Sequence, residues 1–414
     1  MFIKTINLFY CMALLEFKDL SFTEKGNKIE VTLLKNFYFF IEKSDLLKIS
    51  PVKINKNSIE FKDIPEKKVS KKFNFLLSNN IKSLKNRLNN KKSTYIHQNS
   101  GIPLIGTNYF GLIDRNTSII EVKPMTGCNL NCIYCSVDEG LSSKRQVDFV
   151  VEKDYIIKEL KKLVDFKAID AIEAHINAQG ETLLYPRIAE LVADIAKIKQ
   201  IKTISIDTNG TLLTKQLVDE LEKAGLTRFN LSLNALDPKI AQKMAGCAYN
   251  LNKVIEIAKY IPKKTDLIIA PLYLPGYNDK EIPKLAEFAL KIGAGKDCPP
   301  VGIQNFLNYR FGRNPIKALS MDVFYKKLKD MEKEYGIKLI FEDWFGLKKT
   351  KPLPKPFEKG QIIKARIVCD GRLRNEKLAV SGNRVISVPD CTEEGQVKLK
   401  ITRTKHNIFV GILV

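Results

Sequence analysis

Cys128, Cys132 and Cys135 stand in the run KPMTGCNLNCIYCSVDEG as C-x3-C-x2-C, in a chain of 414 residues with only 8 cysteines. Three soft thiolates on one short loop can each take one iron of a 4Fe-4S cube and leave the fourth iron without a protein ligand. That open iron can bind a substrate or cofactor directly. A structural zinc site is the alternative for clustered cysteines. Tetrahedral zinc needs a fourth ligand, however, and the nearest plausible one, His175, lies about forty residues on. The spacing, together with the polar motifs downstream, favours the cluster over zinc.

Further polar stations stand in order along the chain. Gln179-Gly180-Glu181 comes after the stretch Ala168 to Asn177, and Thr208, Asn209 and Gly210 stand just past another apolar run. Ser232 and Asn234 occupy alternate positions of TRFNLSLNALDP, so their side chains point the same way. Each station has a plain alternative: a turn with a surface glutamate, an ordinary Asn-Gly turn, or a strand end that caps a helix at Asp237.

Taken in sequence, these stations resemble the radical S-adenosylmethionine (radical SAM) superfamily. That family writes its cluster loop C-x3-C-x-aromatic-C, and Tyr134 fills the aromatic place. Gln179-Gly180-Glu181 looks like the family's Gly-Gly-Glu motif with Gln179 in place of the first glycine, which backbone hydrogen bonding would tolerate. The resemblance implies a 4Fe-4S cluster on Cys128, Cys132 and Cys135, with S-adenosylmethionine chelating the open iron. It further implies that backbone carbonyls at Gln179, Gly180 and Glu181 bind the methionyl ammonium. Thr208, Asn209, Ser232 and Asn234 would meet the ribose hydroxyls and carboxylate, and Leu274, with Pro275 and Gly276, would line the adenine. The implied chemistry is cleavage of S-adenosylmethionine to a 5'-deoxyadenosyl radical that abstracts a substrate hydrogen. Its electron would come from a low-potential donor such as ferredoxin or flavodoxin.

The elements needed to position these groups are legible independently. Strand-like runs at 118–123, 170–176, 201–206, 228–233, 266–272 and 301–306 alternate with amphipathic stretches at 152–164, 187–198, 214–224, 251–261, 279–292 and 321–335. Such alternation predicts an α/β fold, a partial (β/α)6 barrel open on one side, with every motif just after a strand, where parallel sheets bind ligands. Glu173, His175, Gln304, Asn305, Tyr309 and Arg313 are candidates to face substrate at the barrel mouth.

Residues 1–100 read as a small β-rich module whose segment 71–93 suits a basic amphipathic helix, residues 101–345 as the barrel, and 346–359 as a Pro/Lys linker. Residues 360–414 carry five short strand-like runs and predict a small C-terminal β-barrel. Its outline resembles the TRAM module, an RNA-binding barrel found with several RNA-modifying enzymes. Arg366, Arg372, Arg384, Lys398 and Lys400 are among its cations available for phosphates. A dimerisation or lid domain is the competing reading.

Lys plus Arg total 68 against 46 acidic residues, a formal charge of +22. That excess favours a polyanionic partner, nucleic acid first, although a biased genome composition gives the same signature. With 3 histidines, a His-rich metal site is excluded. Cys11, Cys247, Cys298, Cys369 and Cys391 lie far apart, which is not a secreted disulfide pattern, and an oxygen-sensitive cluster calls for a reducing cytoplasm. The opening MFIKTINLFYCMALLEF is too short and interrupted to span a membrane, and Met12 is a candidate true start.

The expected protein is therefore a cytoplasmic radical SAM enzyme acting on structured RNA, tRNA by preference. A methylthiotransferase is disfavoured because only Cys11 precedes Cys128. The rivals are a maturase of a peptide or small cofactor precursor, and a non-catalytic RNA-binding protein with a relic barrel.

Overall fold

A computed structural model describes residues 12–341 and 346–414. Residues 1–11, which hold Cys11 and most of the apolar opening, and the expected barrel boundary at Phe345 lie outside the described residues. The chain divides into two compact units between Tyr95 and Ile96.

The first unit is β-rich. Lys28–Leu33 pairs antiparallel with both Leu20–Lys25 and Phe37–Glu42, and a three-stranded sheet forms from Ala13–Glu16, Ser58–Phe61 and Val52–Ile54. Its helix differs from expectation. It spans Glu66–Asn80 and buries Val69 and Phe73, whereas the basic half of 71–93 turns through Ile81–Ser83 into a hairpin between Lys85 and Lys92. The turn between those strands holds Asn90 at φ +57°, a conformation that asparagine tolerates and a helix cannot use.

The second unit contains the barrel. Its parallel strands are β1 (Ile119–Lys123), β2 (Ile172–Ile176), β3 (Ile201–Thr208), β4 (Arg228–Leu231) and β5 (Asp266–Ile269), in consecutive spatial order. A parallel bridge from Ile269 to Val301 and the pair Leu272–Tyr273 with Gln304–Asn305 extend the series to a sixth position. The crossover helices are α1 (Lys153–Lys167), α2 (Ile188–Ala196), α3 (Lys215–Lys223), α4 (Pro238–Ala245), α5 (Leu251–Tyr260), α6 (Glu281–Ile292) and α7 (Met321–Tyr335). Each expected strand and helix is present, and the fold is a partial (β/α)6 barrel. The additions include a strand at Gly111–Asp114, antiparallel to β1, a buried strand at Val147–Val151, and α4. Asp237 caps α4, its carboxylate accepting from the Lys239 and Ile240 amides at 2.9 Å, with Pro238 at the first helical turn.

Residues 360–414 form a closed barrel of β6 (Ile362–Asp370), β7 (Lys377–Ser381), β8 (Arg384–Val388), β9 (Gln396–Arg403) and β10 (Phe409–Leu413), with spatial order β6-β7-β8-β10-β9. Four contacts are antiparallel, and β8 with β10 is parallel. Its core holds Phe357, Ile386, Leu399, Phe409 and Cys391, so Cys391 is a packing residue.

This barrel belongs to the second unit rather than standing apart. The Val385 amide donates to the Ile105 carbonyl at 2.9 Å and the Phe409 amide to that of Gly106 at 2.8 Å. The segment 346–359 is strapped down at both ends. Ser118 donates to the Lys348 carbonyl at 2.8 Å, Thr350 donates to that of Asn116 at 2.9 Å, and the carbonyls of Leu353 and Pro354 accept from Asn407 and Arg384. Its prolines remove donors and forbid a helix, yet every proline keeps a carbonyl that a neighbour can use. Among the described residues no helix is long and apolar enough to cross a membrane.

Candidate active site

Every motif returns to one end of the barrel, where a cavity of about 330 Å³ is lined by Cys128, Cys132, Tyr134, Cys135, Gly180, Glu181, Thr208, Asn209, Ser232 and Asn234. The three thiols are unpaired and deeply set. Burial raises all three; Cys132 is pushed up to about 11, and Glu181 and neighbouring sulfurs add to the rise at Cys128. Backbone amides oppose this: Leu130 donates to Cys128 Sγ at 3.4 Å and Glu139 to Cys135 Sγ at 3.2 Å, contacts that favour thiolate. Such a donor set is unfavourable as free thiolates and fits an iron-sulfur cluster, whose net positive irons offset the charge. Among the described residues no three side chains close on one point as a single ion requires; a cube, with one iron per thiolate, does not need that.

The cluster loop is built onto the turn after β3. Asn129 donates to Thr211 Oγ1 at 2.8 Å and accepts from Asn209 Nδ2 at 2.9 Å, while Thr211 donates to Asn209 Oδ1 at 2.6 Å. Glu181 ties a second turn to the same place. Its carboxylate accepts from Thr208 Oγ1 at 2.7 Å, the Asn209 amide at 2.8 Å and the Leu183 amide at 3.0 Å. Thr208, Asn209 and the Glu181 carboxylate therefore serve first to hold the two strand-end turns together.

Gly180 forms a short parallel pair with Gly127, at φ +138°, and a β-carbon there would overlap the Gly127 carbonyl oxygen. Gln179 has no such restriction. It is buried and does not line the cavity, which is why glutamine is tolerated where the family motif has glycine.

Asn234 Nδ2 donates to the Tyr134 hydroxyl and Asn234 Oδ1 accepts from the Leu272 amide at 2.8 Å, so this side chain positions Tyr134. Ser232 faces the cavity with a hydroxyl that makes no hydrogen bond among the described residues. Leu274 departs from expectation. It is fully buried in an apolar cluster with Met244 and Phe306, behind Ile133 and Tyr134, while Ala270 and Leu272 line the cavity on that side. The Asn278 side chain accepts from the Leu274 amide at 2.8 Å and turns the chain away from the cavity.

Asp207 is a lining residue that the sequence reading missed. It belongs to a closed ring of side chains from β2, β3 and β4. His175 Nε2 lies 3.1 Å from Asp207 and Nδ1 2.8 Å from Ser205 Oγ; Ser205 donates to Glu173 at 2.6 Å, which pairs with Arg228. Arg228 Nε donates to Asn230 at 3.0 Å, and Asn230 donates to Asp207 at 2.9 Å. Ser205 has one proton and gives it to Glu173, so it accepts from His175 Nδ1, and His175 Nε2 donates to a carboxylate. Both ring nitrogens are then protonated. Burial alone would lower His175, but Asp207 and Glu173 beside it raise it, and His175 in turn holds Asp207 below its ordinary value against the opposing effect of burial. Glu173 and His175 thus sit beneath the cavity, presenting Asp207 as an anion. Of the remaining mouth candidates Gln304, Asn305 and Tyr309 line the cavity, and Arg313 instead grips the cluster loop.

Residues 122–289 match the model of the radical SAM superfamily. An uncharacterized protein of Methanocaldococcus jannaschii is 42% identical over 369 residues, covering 82% of this chain and 84% of that protein. The chain belongs to the radical SAM superfamily. A GTP 3',8-cyclase of Aquifex aeolicus is 25% identical over 273 residues, covering 63% of this radical SAM chain and 82% of the cyclase. Among solved structures, Streptococcus suis SuiB bound to S-adenosylmethionine is 16% identical, with a TM-score of 0.42 over 79% of this chain and 72% of that one. This radical SAM protein is an enzyme whose cofactors are a 4Fe-4S cluster and S-adenosylmethionine. When bound, the two supply a 5'-deoxyadenosyl radical; the protein supplies orientation and exclusion of water.

Proposed function

We propose that this radical SAM enzyme modifies structured RNA, tRNA by preference, with a low-potential ferredoxin or flavodoxin as electron donor and the C-terminal barrel, TRAM-like in role, as an RNA-gripping module. The observation that carries the reading is a like-charged pair on the outer face of that barrel. Lys364 on β6 stands directly opposite Lys398 on β9, and both are exposed, with Arg366 and Lys400 two positions along on the same face. Like charges directly opposite in an antiparallel pair destabilise a sheet. Among the described residues none of the four has an acidic partner, so a polyanion is the ligand that relieves the repulsion.

The expectation for the other cations is corrected. Arg372 and Arg384 are buried, Arg372 against Asp148 and Glu139, Arg384 against Asn407 and the Pro354 carbonyl. Both stand where the barrel meets the rest of the unit, so desolvation commits them to internal partners. Lys364 takes their place in the patch.

The test is RNA affinity as a function of salt. Replacing Lys364, Lys398 and Lys400 by glutamine is expected to reduce the slope of log K against log salt by roughly two to three. An unchanged slope removes the main support for the proposal. The similarity to GTP 3',8-cyclase favours a second reading, a small cofactor precursor as substrate, and that reading expects turnover without RNA.

A further inference from the structure

The stretch Phe306 to Arg313 (FLNYRFGR) forms a lip at the cavity mouth that the cofactor chemistry leaves without a role. Leu307 and Tyr309 line the cavity, and Tyr309 and Phe311 are 47% and 49% exposed. The lip is fixed rather than loose. Arg313 donates from its amide to the Cys135 carbonyl at 2.8 Å, and from its guanidinium to Asp138 at 2.8 Å, the Cys132 carbonyl at 3.1 Å and Ser142 at 3.1 Å. Arg145 donates to the carbonyls of Phe311 and Val137 at 2.6 and 2.8 Å. The Asn314 side chain brackets Tyr309, accepting from its amide at 3.1 Å and donating to its carbonyl at 2.9 Å. Arg310 lies over the Phe311 ring, its guanidinium carbon 4.9 Å from the centroid.

Two aromatic rings are therefore held in solvent by the loop that carries the cluster cysteines, with an exposed arginine between them. Aromatic faces interleaved with cations are the chemistry that takes a nucleobase and its phosphate. The cavity itself is at the small end of ligand pockets and must take both cofactors, so a substrate presents its reacting part at the mouth.

We infer that Tyr309, Arg310 and Phe311 form a stacking platform for one unpaired nucleotide of the RNA substrate, held at the mouth beside S-adenosylmethionine. The inference rests on the RNA reading and adds the part of the RNA that is recognised. A paired base has no free face to offer, so the enzyme selects loops, bulges or flipped positions.

The reconstituted full-length protein is titrated with three probes: an RNA hairpin carrying 2-aminopurine in its loop, a fully paired duplex of matching length, and GTP. Tyr309→Ala/Phe311→Ala is compared with the wild type, with iron content and melting temperature as controls for folding. The wild type is expected to quench the 2-aminopurine on binding, and the double variant to lose that quenching and at least about fivefold in hairpin affinity while binding the duplex as before. Equal hairpin affinity and quenching in the two proteins overturns the platform and leaves the RNA reading standing. Failure of the wild type to bind either RNA overturns both, and lip-dependent binding of GTP alone transfers the platform to a free nucleotide and refutes the RNA source.

Discussion

Gly180 lies against Gly127 so closely that a β-carbon would overlap the Gly127 carbonyl oxygen. This contact joins the cluster loop to the turn after β2, and the Glu181 amide continues it with a 2.9 Å bond to the same oxygen. Gly180→Ala is expected to weaken S-adenosylmethionine binding by roughly tenfold or more, because an L side chain cannot take this conformation without moving the turn. Gln179→Gly is expected to leave S-adenosylmethionine binding unchanged, because the Gln179 side chain does not line the cavity. Equilibrium binding and thermal melting of the two variants check the contrast.

Ser232 makes the opposite kind of prediction. Its hydroxyl has no partner among the described residues and faces the cavity. Ser232→Ala is expected to leave melting unchanged and raise the Kd for S-adenosylmethionine by about two- to tenfold, the value of one net hydrogen bond. Calorimetric titration measures the Kd, and a thermal scan measures the melting.

Arg372 couples the C-terminal barrel to the cluster loop. Its guanidinium pairs with Asp148 at 2.6 Å and with Glu139, all three side chains being buried, and Glu139 in turn donates its amide to Cys135 Sγ. Arg372→Met removes the cation that faces two buried carboxylates and is expected to cost about 3–5 kcal/mol. Denaturant unfolding and the iron bound after reconstitution are expected to fall together; a loss of stability with full iron would show that the barrel does not support the loop.

Much of this arrangement is legible in the sequence because it is local. The alternation of apolar runs fixes strands and helices, and the order of Cys128, Gly180, Asn209 and Ser232 reflects parallel strands that end on one side. What the sequence does not carry is register between distant strands. His175 and Asp207 are apart in the chain, and their pairing arises because His175 stands opposite Ser205 on the neighbouring strand. Arg372 reads as one more surface cation until its buried acidic partners are known, and Leu274 looks like a cavity residue until Asn278 turns its backbone away.

The His175–Asp207 pair has a pH signature. His175 is raised from 6.5 and Asp207 lowered from 3.8 on folding. The pair therefore contributes fully between those two pH values. Its contribution is lost as pH rises from 6.5 through the raised histidine value, and as pH falls from 3.8 through the lowered aspartate value. His175→Gln is expected to flatten the alkaline limb of the melting temperature above pH 6.5, read by thermal melts along that limb.

The central claim is that this cavity reacts in answer to RNA. Its most direct test is 5'-deoxyadenosine formation by the anaerobically reconstituted, reduced protein, with and without bulk tRNA from cells lacking the gene. The account predicts formation that rises with the tRNA, and that is lost with the cluster iron in a Cys132→Ala variant. Turnover indifferent to tRNA would contradict it and direct the search to a small precursor or a peptide.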